Sequence, residues 1–96
     1  NNSSIHTGSI IGHESQIGNS VFIAHGCNVS GLVHIEDGVF IGAGVTVVPR
    51  IKIGKWSFIG AGSVVTKNIP AYSFIFGNPG KYIKTIAKKY DSGNIL

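Results

Sequence analysis

From Ile5 to Val65 the chain reads IHTGSI IGHESQ IGNSVF IAHGCN VSGLVH IEDGVF IGAGVT VVPRIK IGKWSF IGAGSV V, and each six-residue piece opens on Ile or Val. The column Ile5, Ile11, Ile17, Ile23, Val29, Ile35, Ile41, Val47, Ile53, Ile59, Val65 is unbroken. Such a period fits neither a helix nor a plain alternating strand. It fits a chain that takes one short strand and one corner per hexad and closes a triangular coil every three hexads.

The slot four residues after each aliphatic holds Ser9, Ser15, Val21, Cys27, Val33, Val39, Val45, Ile51, Ser57, Ser63 and Ile69, each small or β-branched. Alternation along a strand turns that slot inward with the aliphatic, so both sets line a narrow prism. The position just after the aliphatic is Gly or Ala at Gly12, Gly18, Ala24, Gly42, Gly54 and Gly60, which suits close approach of other backbone. The expected fold is all-β, a left-handed parallel β-helix over residues 1–70. A closing segment, residues 71–96, follows with a Gly77-Asn78-Pro79-Gly80 turn and a short C-terminal helix from about Lys81 to Tyr90, its apolar side formed by Ile83, Ile86, Ala87 and Tyr90.

Ninety-six residues make one domain, whose core depends on coils burying one another. One cysteine excludes an internal disulfide framework and suits a reducing compartment. The sequence shows no apolar run of membrane-spanning length and no signal or lipidation motif, so the expectation is a soluble, cytoplasmic protein without a membrane partner. Asn1 opens inside a repeat and the chain has no methionine, which reads as a piece of something longer. A net charge of +4 favours anionic partners, but the basic residues are scattered at Arg50, Lys52, Lys55 and Lys67 and then gathered in the tail. No aromatic platform or nucleic-acid module accompanies them, so nucleic acid is not an expected partner.

Residues eighteen apart should stack about 4.8 Å from one another, the spacing of neighbouring strands. The outward slot before the aliphatic then gives one column per face: Ile10, Asn28, Thr46, Val64; Gln16, His34, Lys52, Pro70; and Phe22, Phe40, Phe58. Three phenylalanines stacked outward would make an exposed apolar stripe that soluble monomers rarely tolerate. A second copy around a threefold axis is the expected cover, hence a homotrimer, with the C-terminal tail as the other candidate.

The corners stack likewise: His13, Gly31, Pro49, Lys67; Thr7, His25, Ala43, Ala61; and Asn19, Asp37, Lys55. His13, followed by Glu14, should lie one rung from Gly31. An imidazole beside a carboxylate is suited to general-base work near neutral pH, and a backbone N–H freed beside a glycine suits an oxyanion. A solvated polar corner explains the same residues without chemistry.

NSSIHTGSIIGHESQIGNSVFIAHGCNVSG at residues 2–31, IGAGV at 41–45, IGAGSVV at 59–65 and GNPGKYIK at 77–84 resemble the hexapeptide-repeat sugar acetyltransferases, nearest to the sialic-acid O-acetyltransferase and bacillosamine N-acetyltransferase group. The resemblance implies an acetyl-CoA-dependent transfer to a hydroxyl or amine of a sugar or nucleotide-linked sugar. It casts His13 as general base, Glu14 as its acidic neighbour and Gly31 as the glycine whose amide faces the thioester carbonyl. Ala43 and Ala61 match positions lining the pantetheine arm, and Pro79 with Lys81 matches the segment near the adenine end. Some relatives carry a histidine near the acetyl group where this chain has Phe22; here His25 stands nearby instead.

Two rivals bear on the same pattern. Zinc carbonic anhydrases share this prism, but His6, His13, His25 and His34 are spaced seven, twelve and nine apart and miss the ligand pattern, so no metal site is expected. A non-catalytic structural β-helix would present one regular face of a single residue type, whereas this chain carries a unique His-Glu pair. Cys27, in an inward slot, reads as a buried structural thiol and not a nucleophile.

Overall fold

The computed structural model describes residues 3–86, and there each hexad of the repeat contributes a strand of two residues. In chain order these are β1 (Ser4–Ile5), β2 (Ile10–Ile11), β3 (Gln16–Ile17), β4 (Phe22–Ile23), β5 (Asn28–Val29), β6 (His34–Ile35), β7 (Phe40–Ile41), β8 (Thr46–Val47), β9 (Lys52–Ile53), β10 (Phe58–Ile59) and β11 (Val64–Val65). Two longer strands close the chain, β12 (Ser73–Phe76) and β13 (Lys81–Thr85). The coil is a left-handed parallel β-helix of hexapeptide repeats.

Three faces result. The first holds β1, β4, β7, β10, β12 and β13; the second β2, β5, β8 and β11; the third β3, β6 and β9. Pairing is parallel and in the expected register, with Ile5 on Ile23, Ile23 on Ile41, and Ile41 on Ile59, each eighteen residues on. The last coil is shorter: Phe58 pairs with Phe74 and Ile53 with Ile69, sixteen residues on, so two residues are dropped at the corner between Val65 and Ile69. The coil nevertheless closes, because Ile69 and Ile75 still reach the core.

Ile23, Ile35, Ile41, Ile53 and Ile59 are completely buried along the axis. Each fully buried aliphatic side chain contributes roughly 1.5–3 kcal/mol relative to exposure. The inward serines do a second job, because a narrow prism leaves corner carbonyls and amides close to the core. Ser9 Oγ donates to the Ala24 carbonyl at 2.7 Å and accepts from the Cys27 amide at 3.1 Å, and Ser15 does the same with Ser30 and Val33. Cys27 occupies the slot one coil above Ser9, and its Sγ donates to the Gly42 carbonyl at 3.1 Å. It is buried, as the sequence led us to expect.

The C-terminal helix expected over residues 81–90 is not what forms: residues 81–85 are a strand, β13, antiparallel to β12 with Phe76 opposite Lys81 and Ser73 opposite Thr85. The remainder of that expected helix, residues 87–90, lies outside the described residues. Two forces favour the strand. β12 would otherwise end the first sheet with unpaired backbone groups. Tyr82, Ile83 and Thr85 are strand-forming residues, while so short an isolated helix is marginal. Ile86 then tucks against the coil, its amide donating to the Tyr72 carbonyl.

On the first face the phenylalanines stack as expected. Phe22 and Phe40 lie 4.9 Å apart, Phe40 and Phe58 4.6 Å apart and nearly parallel, and Phe74 closes the row edge-on to Phe58. Among the described residues, no helix is long and apolar enough to cross a membrane.

Candidate active site

The three edges of the prism carry different chemistry. Between the second and third faces runs the histidine edge. The Gly31 Cα sits directly against the His13 ring: a Cβ at residue 31 would lie 3.0 Å from Cε1 and 3.1 Å from Nδ1. The missing side chain is what lets the imidazole lie over the backbone of the next coil. Rungs are fixed by the corner carbonyls, that of His13 accepting from the Leu32 amide at 3.1 Å and that of Gly31 from Arg50 at 3.2 Å. The Gly31 N–H itself donates to no acceptor among the described residues, so an imidazole and an open backbone donor share one corner. Gly12 holds them there, since its own Cβ would fall 2.4 Å from the Gly31 nitrogen. Glu14 follows with a left-handed φ of 57° and an exposed side chain. Its carboxylate forms no hydrogen bond or ion pair with His13 among the described residues.

Between the first and second faces runs an edge on which the sequence reading placed His25, Ala43 and Ala61, and the structure stacks them in that order. Their corner carbonyls hold the coils together, His25 accepting from Gly44 at 3.1 Å and Ala43 from Gly62 at 2.8 Å. Their own amides donate to no acceptor among the described residues. The next residue along this edge is glycine in every coil: Gly8, Gly26, Gly44 and Gly62, with φ between 70° and 79°. Around Gly44 and Gly62 a Cβ would meet nothing within 4 Å. This is a side-chain-free backbone wall, and it was legible as glycine recurring every eighteen residues, a column the sequence reading did not follow.

The Gly77–Gly80 turn is pinned to the end of this glycine edge. The Gly77 carbonyl accepts from Val64, the Gly77 amide donates to Ser63 Oγ at 3.0 Å, and the Gly80 amide donates to the Val64 carbonyl at 2.7 Å. Pro79, after a cis bond, and Lys81 therefore continue the line begun by His25. Phe22 does not join it: the ring belongs to the aromatic row on the first face, 4.8 Å from His6 and 4.9 Å from Phe40.

Between the third and first faces lies a carboxylate edge. Asp37 Oδ1 accepts from the Asn19 amide at 2.7 Å, and Glu36 Oε1 accepts from the Lys55 amide at 3.1 Å, so side chains close corner donors that stay open elsewhere. Glu36 Oε2 also pairs with Lys52 Nζ at 3.4 Å. Desolvation pulls the Glu36 carboxyl upward, but the Lys55 amide, the Lys52 ammonium and His34 together outweigh it and hold the group below its ordinary value. No group of three His, Cys, Asp or Glu among the described residues is placed to hold a metal ion.

A hexapeptide β-helix with a histidine–glycine corner and a glycine-walled edge defines a class in which comparisons are informative. Residues 32–67 match the model of the bacterial transferase hexapeptide (six repeats). The chain is similar to the serine acetyltransferase of Neisseria gonorrhoeae, with 33% identity and a TM-score of 0.83 over 91% of this chain and 37% of that one. That enzyme has also been solved in complex with serine. It is similar as well to the serine acetyltransferase of Brucella abortus strain S19 in complex with coenzyme A, with 28% identity and a TM-score of 0.76 over 86% of this chain and 40% of that one. AntD, an N-acyltransferase from Bacillus cereus in complex with dTDP-4-amino-4,6-dideoxyglucose and coenzyme A, shares the fold at 19% identity, with a TM-score of 0.83 over 94% of this chain and 63% of that one. No curated protein sequence gave a match. The chain is a hexapeptide-repeat protein similar to acetyltransferases, and it spans well under half the length of the serine acetyltransferases it resembles.

Proposed function

We propose that the protein is an acetyl-CoA-dependent acetyltransferase whose acceptor is a hydroxyl or amine of a sugar or nucleotide-linked sugar, with His13 as general base. The observation that carries this reading is the His13 ring lying against Gly31 beside an undonated backbone N–H. Acetyl-CoA supplies the activated acyl group as a thioester. His13 takes the proton of the attacking hydroxyl or amine. The Gly31 N–H donates to the negative charge that develops on the carbonyl oxygen, and as the carbonyl re-forms the carbon–sulfur bond breaks, the coenzyme A sulfur leaving with the proton that His13 had taken.

The glycine edge supports the cosubstrate assignment. Its four glycines and the amides of His25, Ala43 and Ala61 offer a flat wall with donors, on which a linear amide-bearing arm can lie, leading to Pro79 and Lys81. Within one chain, however, this wall and His13 stand on opposite edges of the second face. Two copies are needed to bring them together. The proposed assembly is therefore a homotrimer in which the histidine edge of one copy meets the glycine edge of the next. The second face, with Ile10, Asn28, Thr46 and Val64 outward, turns to the threefold axis, in place of the phenylalanine face that the sequence reading favoured. A cytoplasmic setting, where acetyl-CoA is made and used, is part of the same proposal.

Likeness to serine acetyltransferases favours a second acceptor, the serine hydroxyl. Acetyl-CoA consumption measured against amino-sugar nucleotides, free sugars and serine separates the two. In the same assay His13→Ala should lose about 10²–10⁴-fold in rate while calorimetry shows coenzyme A binding retained. A near-normal rate in that variant would remove His13 from the chemistry.

A further inference from the structure

Away from both edges used above, a recess of about 330 Å³ opens where the third face meets the carboxylate edge, lined by Gly18, His34, Glu36, Asp37 and Lys55. Its size is at the small end for ligand sites, roughly 300–1,000 Å³, suited to a monosaccharide and too small for a nucleotide. The hydrogen bonds inside it are unevenly spent. Glu36 is fully engaged, Oε1 with the Lys55 amide and Oε2 with Lys52 Nζ. Asp37 commits Oδ1 to the Asn19 amide, which leaves Oδ2 accepting nothing among the described residues. The Lys55 ammonium and the His34 ring are likewise without a hydrogen-bond partner among the described residues. Open to a ligand are therefore one pure acceptor, one pure donor, and an imidazole that in its neutral form offers one of each.

That inventory selects among ligands. With Glu36 paired to Lys52, the lining leaves the Asp37 carboxylate against the Lys55 ammonium, so it offers a phosphate no surplus of positive charge, and the metal-ligating geometry is missing among the described residues. A zwitterion would have to desolvate two full charges for exposed ion pairs, each worth only about 0–1 kcal/mol. Hydroxyl groups both donate and accept, and a ring of them answers an alternating acceptor, donor and imidazole without that cost. The edge is also preformed, because the Asp37 cap on Asn19 and the Glu36 cap on Lys55 fix the backbone on either side. We infer that this recess binds a neutral sugar unit, its hydroxyls donating to Asp37 Oδ2 and accepting from Lys55 Nζ, with His34 bridging a neighbouring pair. It contains no residue of the histidine or glycine edge, so it stands whether or not His13 performs acyl transfer.

The test is a titration of the whole chain with glucose, serine and inorganic phosphate in turn, followed by calorimetry and by the His34 ring proton resonances. Glucose should bind in the millimolar range and shift His34, while serine and phosphate should not. Asp37→Asn keeps an acceptor for the Asn19 amide but turns the open oxygen into a donor. It should weaken glucose at least tenfold with melting temperature unchanged, and Lys55→Met should do the same. Glucose binding unaffected by Asp37→Asn and Lys55→Met, a preference for serine or phosphate, or silence of the His34 resonances at saturating glucose would each overturn the assignment.

Discussion

The glycine edge and the carboxylate edge are built on the same backbone and filled differently. At the corner residue that must take a left-handed φ, the glycine edge has Gly8, Gly26, Gly44 and Gly62, while the carboxylate edge has Ser20, Gly38, Trp56 and Tyr72. Ser20, Trp56 and Tyr72 adopt φ near 60°, as do Glu14, Leu32 and Arg50 on the histidine edge. A non-glycine residue there costs on the order of 1–2 kcal/mol, and the fold bears that cost six times. The backbone thus does not demand glycine at all four positions of one edge. What glycine secures there is the absence of side chains, over corner amides that nothing else in the described chain occupies. On the carboxylate edge the opposite holds: Asp37 and Glu36 fill corner amides, and the Trp56 ring covers Gly38 so closely that a Cβ on it would fall 2.4 Å from the ring.

The contrast can be broken most severely where a glycine is needed for close approach. Gly12→Ala would set a methyl 2.4 Å from the Gly31 nitrogen and 2.5 Å from the Ser30 carbonyl carbon, backbone that cannot swing aside. Destabilisation of about 3 kcal/mol or more is expected in chemical denaturation, with acyl transfer falling alongside. Gly44→Asn sharpens the comparison from the other side. Asparagine tolerates this φ, and nothing lies within 4 Å of the new Cβ, so stability should change by less than about 1 kcal/mol while calorimetric affinity for coenzyme A drops at least tenfold. Unchanged affinity would mean that the glycine wall is not where the arm lies.

The smallest effect belongs to the carboxylate edge. Glu36 is held below its ordinary value of 4.5, so its contribution to stability is present above that pH and is lost as pH falls through the lowered folded value. Glu36→Gln should therefore lower the neutral plateau slightly and flatten the acid limb, the two stability curves meeting at low pH, and the effect is small because the pair with Lys52 is close to solvent.

The fold was written in the sequence because one short period governs it. The aliphatic column and the inward serines fixed the face of every residue from 4 to 65, and the His13–Gly31 rung followed by counting eighteen. The end of the coil was less legible. Two residues are missing from the last turn, so Ile69, inward by the hexad count, pairs with Ile53 one slot class away, and Ile75 reaches the core from beyond the repeat. The Lys81–Thr85 segment carried apolar spacing compatible with a helix, and its pairing to β12 depends on a free strand edge that only the folded coil creates. Phe22, where the resemblance has a histidine near the acetyl group, stands in the outward slot that the hexads give it, in the aromatic row of the first face. The glycine column Gly8, Gly26, Gly44, Gly62 is equally regular in the sequence, but a left-handed corner accounts for each glycine singly, so the spacing alone does not mark a wall.

Subunit mixing tests the central claim most directly. His13→Ala and Gly44→Asn are each expected to be nearly inactive as pure assemblies, the second under limiting acetyl-CoA. Denatured together and refolded, they should regain acetyl transfer, because some clefts then pair an intact histidine edge from one copy with an intact glycine edge from another. Mixed assemblies, verified by mass, that stay as inactive as their parents would show that both edges act within a single chain or that one of them has no part in the reaction.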